Sequence, residues 1–199
     1  MSGSGIEFIT SSDKVYLTLL CDNIDSLNST HRPRVAILIN GEKFYDDTLK
    51  QATETIFLDI SKYVGDKVVT VLKLSESMYS SCGLSKIAVY DDKDIFPTEE
   101  KDLQIEFIGD SITAGYGLDE ENDYASFSTS TENFSESFAY LAAKKLNADY
   151  SAVAFSGYGV LSGQGKTDCV VSRYYENAVT HKSFESPLPL EKWDFSDET

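Results

Sequence analysis

The sequence predicts two domains of different class: a jelly-roll-like all-β sandwich over residues 1–98, then an incomplete α/β unit with a parallel sheet over residues 99–199. Three observations support this division. Short apolar/polar alternations separated by polar turns fill residues 5–91, with no helical period of comparable length. A charged stretch containing Pro97 follows at residues 92–104 and reads as a linker. From Ile105 onward the order becomes strand, turn, helix, strand, which implies parallel strands joined by a crossover helix.

In the first domain Val15, Leu17, Leu19 and Cys21 alternate with Tyr16 and Thr18, and Val35, Ile37 and Ile39 with Arg34, Ala36 and Leu38. Asn40-Gly41 is the favoured two-residue hairpin signal, and residues 42–45 are the return strand. Ile56, Leu58 and Ile60 alternate again, and residues 67–74 and 86–90 supply two more strands. In the second domain residues 105–108 form a short apolar strand. Ser135 is the expected cap of a helix running to Leu146, with Phe138, Leu141, Ala142 and Leu146 on one face and Asn147 at its end. Residues 150–155 make the next strand.

Composition narrows the function. The chain has 199 residues and a net charge of −16, from 17 basic against 33 acidic side chains. Nucleic-acid phosphates need a basic footprint, so no nucleic-acid partner is expected, and no anionic membrane either. A neutral ligand such as a sugar is compatible with an acidic surface. Cys21, Cys82 and Cys169 are odd in number and widely spaced, so neither a disulfide framework nor a zinc site is signalled. The first residues show neither a basic n-region nor an apolar h-region. The expected location is cytoplasmic, or secreted where the amino terminus is incomplete.

The chemistry is concentrated in residues 109–117, Gly-Asp-Ser-Ile-Thr-Ala-Gly-Tyr-Gly, directly after the first α/β strand. A serine on a tight turn at the carboxyl end of a parallel strand sits where open α/β sheets place their ligands. Serine attacks an acyl carbon when a base takes its proton and preorganised donors hold the oxyanion. The Ser111 N–H is one candidate donor. The N–H of Gly157, in Ser156-Gly157-Tyr158-Gly159 after the next strand, is a second. A plain strand-to-helix loop capped by Asp110 or Ser111 fits the same residues, whereas a phosphate-cradling loop fits poorly, because no Gly-Lys-[Ser/Thr] follows.

Residues 105–117 resemble the first signature block of the SGNH, or GDSL-type, hydrolases. With residues 128–135 and 139–146, the chain is similar to carbohydrate esterase family 2. The resemblance implies an amino-terminal jelly roll joined to an SGNH hydrolase-like, flavodoxin-like α/β domain. It also implies removal of acetyl groups from plant polysaccharides such as xylan or glucomannan, with no metal or cofactor. By position it makes Ser111 the nucleophile and first oxyanion donor, and Gly157 the second donor. The third donor would be an Asn in a Gly-x-Asn-Asp block and the base a His in an Asp-x-x-His block. Neither block occurs in these 199 residues, so the resemblance implies a chain truncated before them. Residues 193–196, Trp-Asp-Phe-Ser, are similar to the family's approach to the missing Asn.

Other candidates read as structural. His181 precedes a Pro-rich stretch and His31 lies beside Arg32-Pro33; both read as solvated loop residues. Asp110 is expected to hydrogen-bond within the turn rather than serve as triad acid. Trp193 reads as core, while Tyr116, Tyr158, Tyr174 and Tyr175 fit either packing or a carbohydrate cleft. Two function classes stay open: an acetyl esterase acting on acetylated oligo- or polysaccharide, and a non-catalytic carbohydrate-binding or accessory protein. A lipase or acyltransferase ranks below both. A parallel sheet this short leaves an edge open, so association through that edge is also expected.

Overall fold

The computed structural model describes residues 1–22, 24–90, 92–164, 169–173 and 175. The amino-terminal part folds into eight strands: β1 (Gly5–Thr10), β2 (Lys14–Cys21), β3 (Arg34–Ile39), β4 (Glu42–Thr48), β5 (Thr53–Asp59), β6 (Lys67–Lys73), β7 (Cys82–Val89) and β8 (Ile95–Pro97). They form a five-stranded sheet in the order β4-β3-β6-β1-β8 and a three-stranded sheet in the order β5-β2-β7. All pairings within the two sheets are antiparallel. The Asn40-Gly41 turn closes the β3–β4 hairpin, whose register shifts between Ile37 and Leu38. Strand β8 lies within the stretch expected to be linker: Ile95, Phe96 and Pro97 pair with Thr10, Ile9 and Phe8. A proline sits there because β8 is an edge strand, where a missing N–H costs no ladder bond.

Alternation builds the core between the sheets. Val15, Leu17 and Leu19 from one sheet meet Val35, Ile37, Ile39, Val69 and Val71 from the other, all almost completely buried. Burying each such side chain contributes roughly 1.5–3 kcal/mol. The opposite face of the five-stranded sheet is also apolar. Ala36, Leu38, Leu72 and Leu74 are buried there against Phe134, Ala139 and Ala152 of the α/β part. That explains why β3 reads Arg-Val-Ala-Ile-Leu-Ile rather than as a strict alternation: both of its faces are covered.

The α/β part comprises β9 (Gln104–Gly109), α1 (Ser111–Ala114), α2 (Phe138–Leu146) and β10 (Asp149–Ala154). Strands β9 and β10 pair in parallel, with Gly109 opposite Ala154. The α2 helix differs from expectation at its start. Its cap is Ser137, whose hydroxyl accepts from Tyr140 N–H, while residues 134–136 form a separate 3₁₀ turn. Ser135 instead donates to Asn133 Oδ1 at 2.6 Å. The buried stripe is Ala139 and Ala143, whereas Phe138, Leu141 and Leu146 stand 54%, 46% and 57% exposed. Small alanines let the helix backbone approach the sandwich closely, and the large side chains are turned outward. Asn147 ends the helix in a left-handed conformation, as its position predicts.

Several polar contacts tie the two parts together. Arg34 on β3 grips Asp46 through two 2.7 Å bonds and also reaches Asp119 at 2.7 Å and the Glu132 carbonyl at 3.1 Å. Thr129 donates to the carbonyls of Thr30 and Arg32, and the Tyr150 hydroxyl donates to the Gly3 carbonyl. The loop after β9 is thereby pinned to the sandwich at both ends.

Candidate active site

Ser111 is the first residue of α1, immediately beyond β9, and it is half-buried. Asp110 caps the helix: its carboxylate accepts from Ile112 N–H at 3.0 Å, so it is spent within the turn as expected. After four residues the helix stops at Gly115, whose left-handed φ of 82° lets Tyr116 N–H reach the Ser111 carbonyl at 2.9 Å. A Cβ on Gly115 would lie 2.5 Å from the Asn133 carbonyl oxygen, and Asn133 N–H in turn bonds Gly115 O at 2.8 Å. The serine turn is therefore clamped from behind by the segment leading to Phe134.

Gly157 lies one turn past β10. Tyr158 N–H bonds the Phe155 carbonyl at 3.1 Å, closing a β-turn in which Gly157, at φ 80°, occupies the third position. Only a residue tolerant of positive φ serves there. The β9–β10 register, extended by Phe155 N–H to Gly109 O at 3.2 Å, brings both turns out at the same sheet end. Neither the Ser111 N–H nor the Gly157 N–H has a hydrogen-bond partner among the described residues. Two uncommitted amides at the sheet end that carries a serine hydroxyl suit a developing oxyanion.

Nothing in the residue order signals what lies behind this site. Glu76, on the loop after β6, is 1% exposed and reaches across to the second turn. Its Oε2 accepts from Ser156 N–H at 2.9 Å, and its Oε1 accepts a very short bond from the Ser156 hydroxyl. Glu76 N–H in turn donates to Glu132 Oε2 at 2.9 Å. Glu132 is wholly buried, and its Oε1 has no partner. Burial, followed by repulsion from Glu76, pushes the Glu132 carboxyl up to about 8, so it is neutral at pH 7. Nearby Lys73 is also buried, donates to the Ser75 carbonyl, and is shifted downward by desolvation.

His31 stacks on Tyr79 at 4.8 Å, Tyr79 on Phe127 at 4.4 Å, and Phe127 on Tyr116 at 5.1 Å. This aromatic row runs from the sandwich to the end of the serine helix, so His31 is a packing residue rather than a loose loop residue. Tyr158 packs on Phe155, and the Tyr175 hydroxyl donates to Glu106. No His contacts Ser111 among the described residues; His181, Trp193 and Tyr174 lie outside them. No group of three or more potential metal ligands occurs among the described residues.

No protein-family model matches the chain. The cellulase/esterase CelE of Acetivibrio thermocellus is 35% identical over 102 residues, half of this chain and 11% of that protein. A family two carbohydrate esterase from Clostridium thermocellum, solved with cellohexaose, superimposes with a TM-score of 0.81 at 22% identity, over 98% of this chain and 56% of that one. An acetyl xylan esterase from the rumen bacterium Butyrivibrio proteoclasticus gives a TM-score of 0.81 at 24% identity, over 98% of this chain and 53% of that one. The chain thus spans little more than half the length of these solved structures and about a tenth of the curated relative. Its fold, a β-sandwich joined to part of an SGNH-like α/β domain, is that of the family 2 carbohydrate esterases.

Proposed function

We propose that this chain carries the nucleophile half of a carbohydrate acetyl esterase, with residues 1–98 as its jelly-roll domain. Ser111 Oγ attacks the acetyl carbonyl carbon, and its proton passes to a base. The N–H groups of Ser111 and Gly157 hold the resulting oxyanion. Collapse expels the sugar hydroxyl and leaves acetyl-Ser111, which water hydrolyses. The observation that supports this reading is the pair of uncommitted amides, one of them Ser111's own, at the same end of a parallel strand pair. The acetylated polysaccharide substrate rests on the relatives: one is an acetyl xylan esterase, and another was solved with an oligosaccharide.

The test compares the chain with Ser111→Ala on p-nitrophenyl acetate. Nitrophenol release and acetyl-Ser111 in the wild type, both absent from the variant, are expected; equal release from the two proteins overturns the proposal. A second reading, carbohydrate binding without turnover, is favoured by the aromatic row ending at Tyr116. It is tested by titrating both proteins with acetylated xylan oligosaccharides. Binding that survives Ser111→Ala without any turnover would support it.

Association through the sheet edge belongs to the same proposal. Ile108 on β9 and Phe138 and Leu141 on α2 are exposed, and among the described residues the two-stranded sheet has no further strand on either edge. Sedimentation should show reversible self-association; a monomer at all concentrations would refute it.

A further inference from the structure

The Ser156–Gly157 turn is closed within its own domain by Tyr158 N–H on the Phe155 carbonyl, and it is also held from outside by a buried carboxyl group from the sandwich. Both Glu76 oxygens are used on Ser156, one on its N–H and one on its hydroxyl, and Glu76 is itself fixed by Glu132 through its N–H. We propose that Glu76 is a positioning residue for the Gly157 amide, and that it works as the charged member of a carboxyl–carboxylate pair in which Glu132 keeps the proton. The purpose assigned to that amide rests on the esterase reading; the positioning does not.

The arrangement of charges favours one proton on the pair. A Ser156 N–H and O–H together donate two bonds, which a carboxylate at Glu76 accepts without remainder. Glu132 has one oxygen serving the Glu76 N–H and one with no partner, and an unpartnered buried oxygen costs far less on a neutral carboxyl than on a carboxylate. The upward displacement of Glu132 agrees with this division. The other charged or titratable groups bearing on the pair are Lys73 on β6, the buried Met1 amino group, Tyr79 and Tyr116, and Arg34, which binds the Glu132 carbonyl rather than its carboxyl. Lys73 spends its ammonium on Ser75 and meets neither carboxyl in an ion pair. Losing the Glu132 proton would place two like charges in one buried site, loosening the grip on Ser156.

The test is site-resolved amide hydrogen exchange on the full chain and on Glu76→Ala, Glu76→Gln and Glu132→Gln, from about pH 6 to about pH 9, with exchange rates corrected for their intrinsic pH dependence. Loss of a hydrogen bond to a charged acceptor should speed Ser156 exchange by about tenfold to a hundredfold in Glu76→Ala. Glu76→Gln should fall between that variant and the wild type. Amides of β3 and β6 serve as the internal control and should not change. In the wild type, corrected Ser156 exchange should rise once pH passes about 8, and in Glu132→Gln that rise should vanish. The proposal is overturned if Ser156 exchanges no faster in Glu76→Ala, if it accelerates only in step with β3 and β6, or if the rise persists in Glu132→Gln. None of these readouts requires turnover, so a negative result on p-nitrophenyl acetate defeats the esterase reading and leaves this one standing.

Discussion

Gly115→Ala should disturb the serine turn more than its size suggests. At φ 82° an alanine sits in the left-handed region, which costs about 1–2 kcal/mol. The new Cβ would also lie 2.5 Å from the Asn133 carbonyl oxygen and 2.9 Å from Phe134 N, both backbone atoms that no rotamer change can move. Relieving the contact means lengthening the Asn133 N–H bond to Gly115 O, at a further cost of about 1 kcal/mol. The sum, about 2–3 kcal/mol, corresponds to roughly 4–12 °C in Tm for a chain of this length. Gly65→Ala is the control, because Gly65 has φ 79° and nothing within 4 Å of an added Cβ. It should show the conformational cost alone. The assay is urea unfolding followed by circular dichroism, with fluorophosphonate labelling of Ser111 as a second readout. If Gly115→Ala unfolds at the same urea concentration as Gly65→Ala, the clamp on the serine turn is not what the distances imply.

Three further outcomes are expected. Phe134 is fully buried between the sandwich and α2, edge-on to Tyr140 and tilted against Tyr150, so Phe134→Ala should cost about 3–5 kcal/mol in denaturant unfolding. Because folding raises the Glu132 carboxyl from its ordinary value to about 8, its own contribution to stability should fall as pH rises from about 4.5 and level off above about 8, against the Met1 amino group, which burial lowers to about 5 and whose contribution rises over much of the same range. Thermal melts of the wild type and Glu132→Gln isolate this contribution: as pH rises across that range the wild type should lose stability relative to the variant. Burial lifts Cys21 to about 11 and pushes Cys82 upward as well, so native protein at pH 8 should alkylate both with iodoacetamide far more slowly than protein unfolded in urea.

What could be read from residue order was local. The Gly-Asp-Ser turn, the Asn40-Gly41 hairpin and the Asn147 helix end each depend on backbone preferences carried by a few neighbours, and each is where the residues put it. Helical spacing reveals that Phe138, Leu141 and Leu146 share a face of α2, not which face finds a partner. Ala139 and Ala143 won the contact because two backbones had to come close. The cap is Ser137 rather than Ser135 because residues 134–136 close a separate 3₁₀ turn and Ser135 spends its hydroxyl on Asn133. Glu76 and Glu132 were invisible for a different reason. They are 56 residues apart, surrounded by ordinary polar sequence, and become a pair only when the sandwich closes on the α/β part.

A sheet with apolar side chains on both faces has no side left to show to water. Severing the chain after Pro97 would strip the cover from Ala36, Leu38, Leu72 and Leu74, so the amino-terminal half is a foundation rather than a detachable module. Grafting it alone onto another protein would transplant a sticky surface, and any ligand titration of that fragment would report on its aggregation.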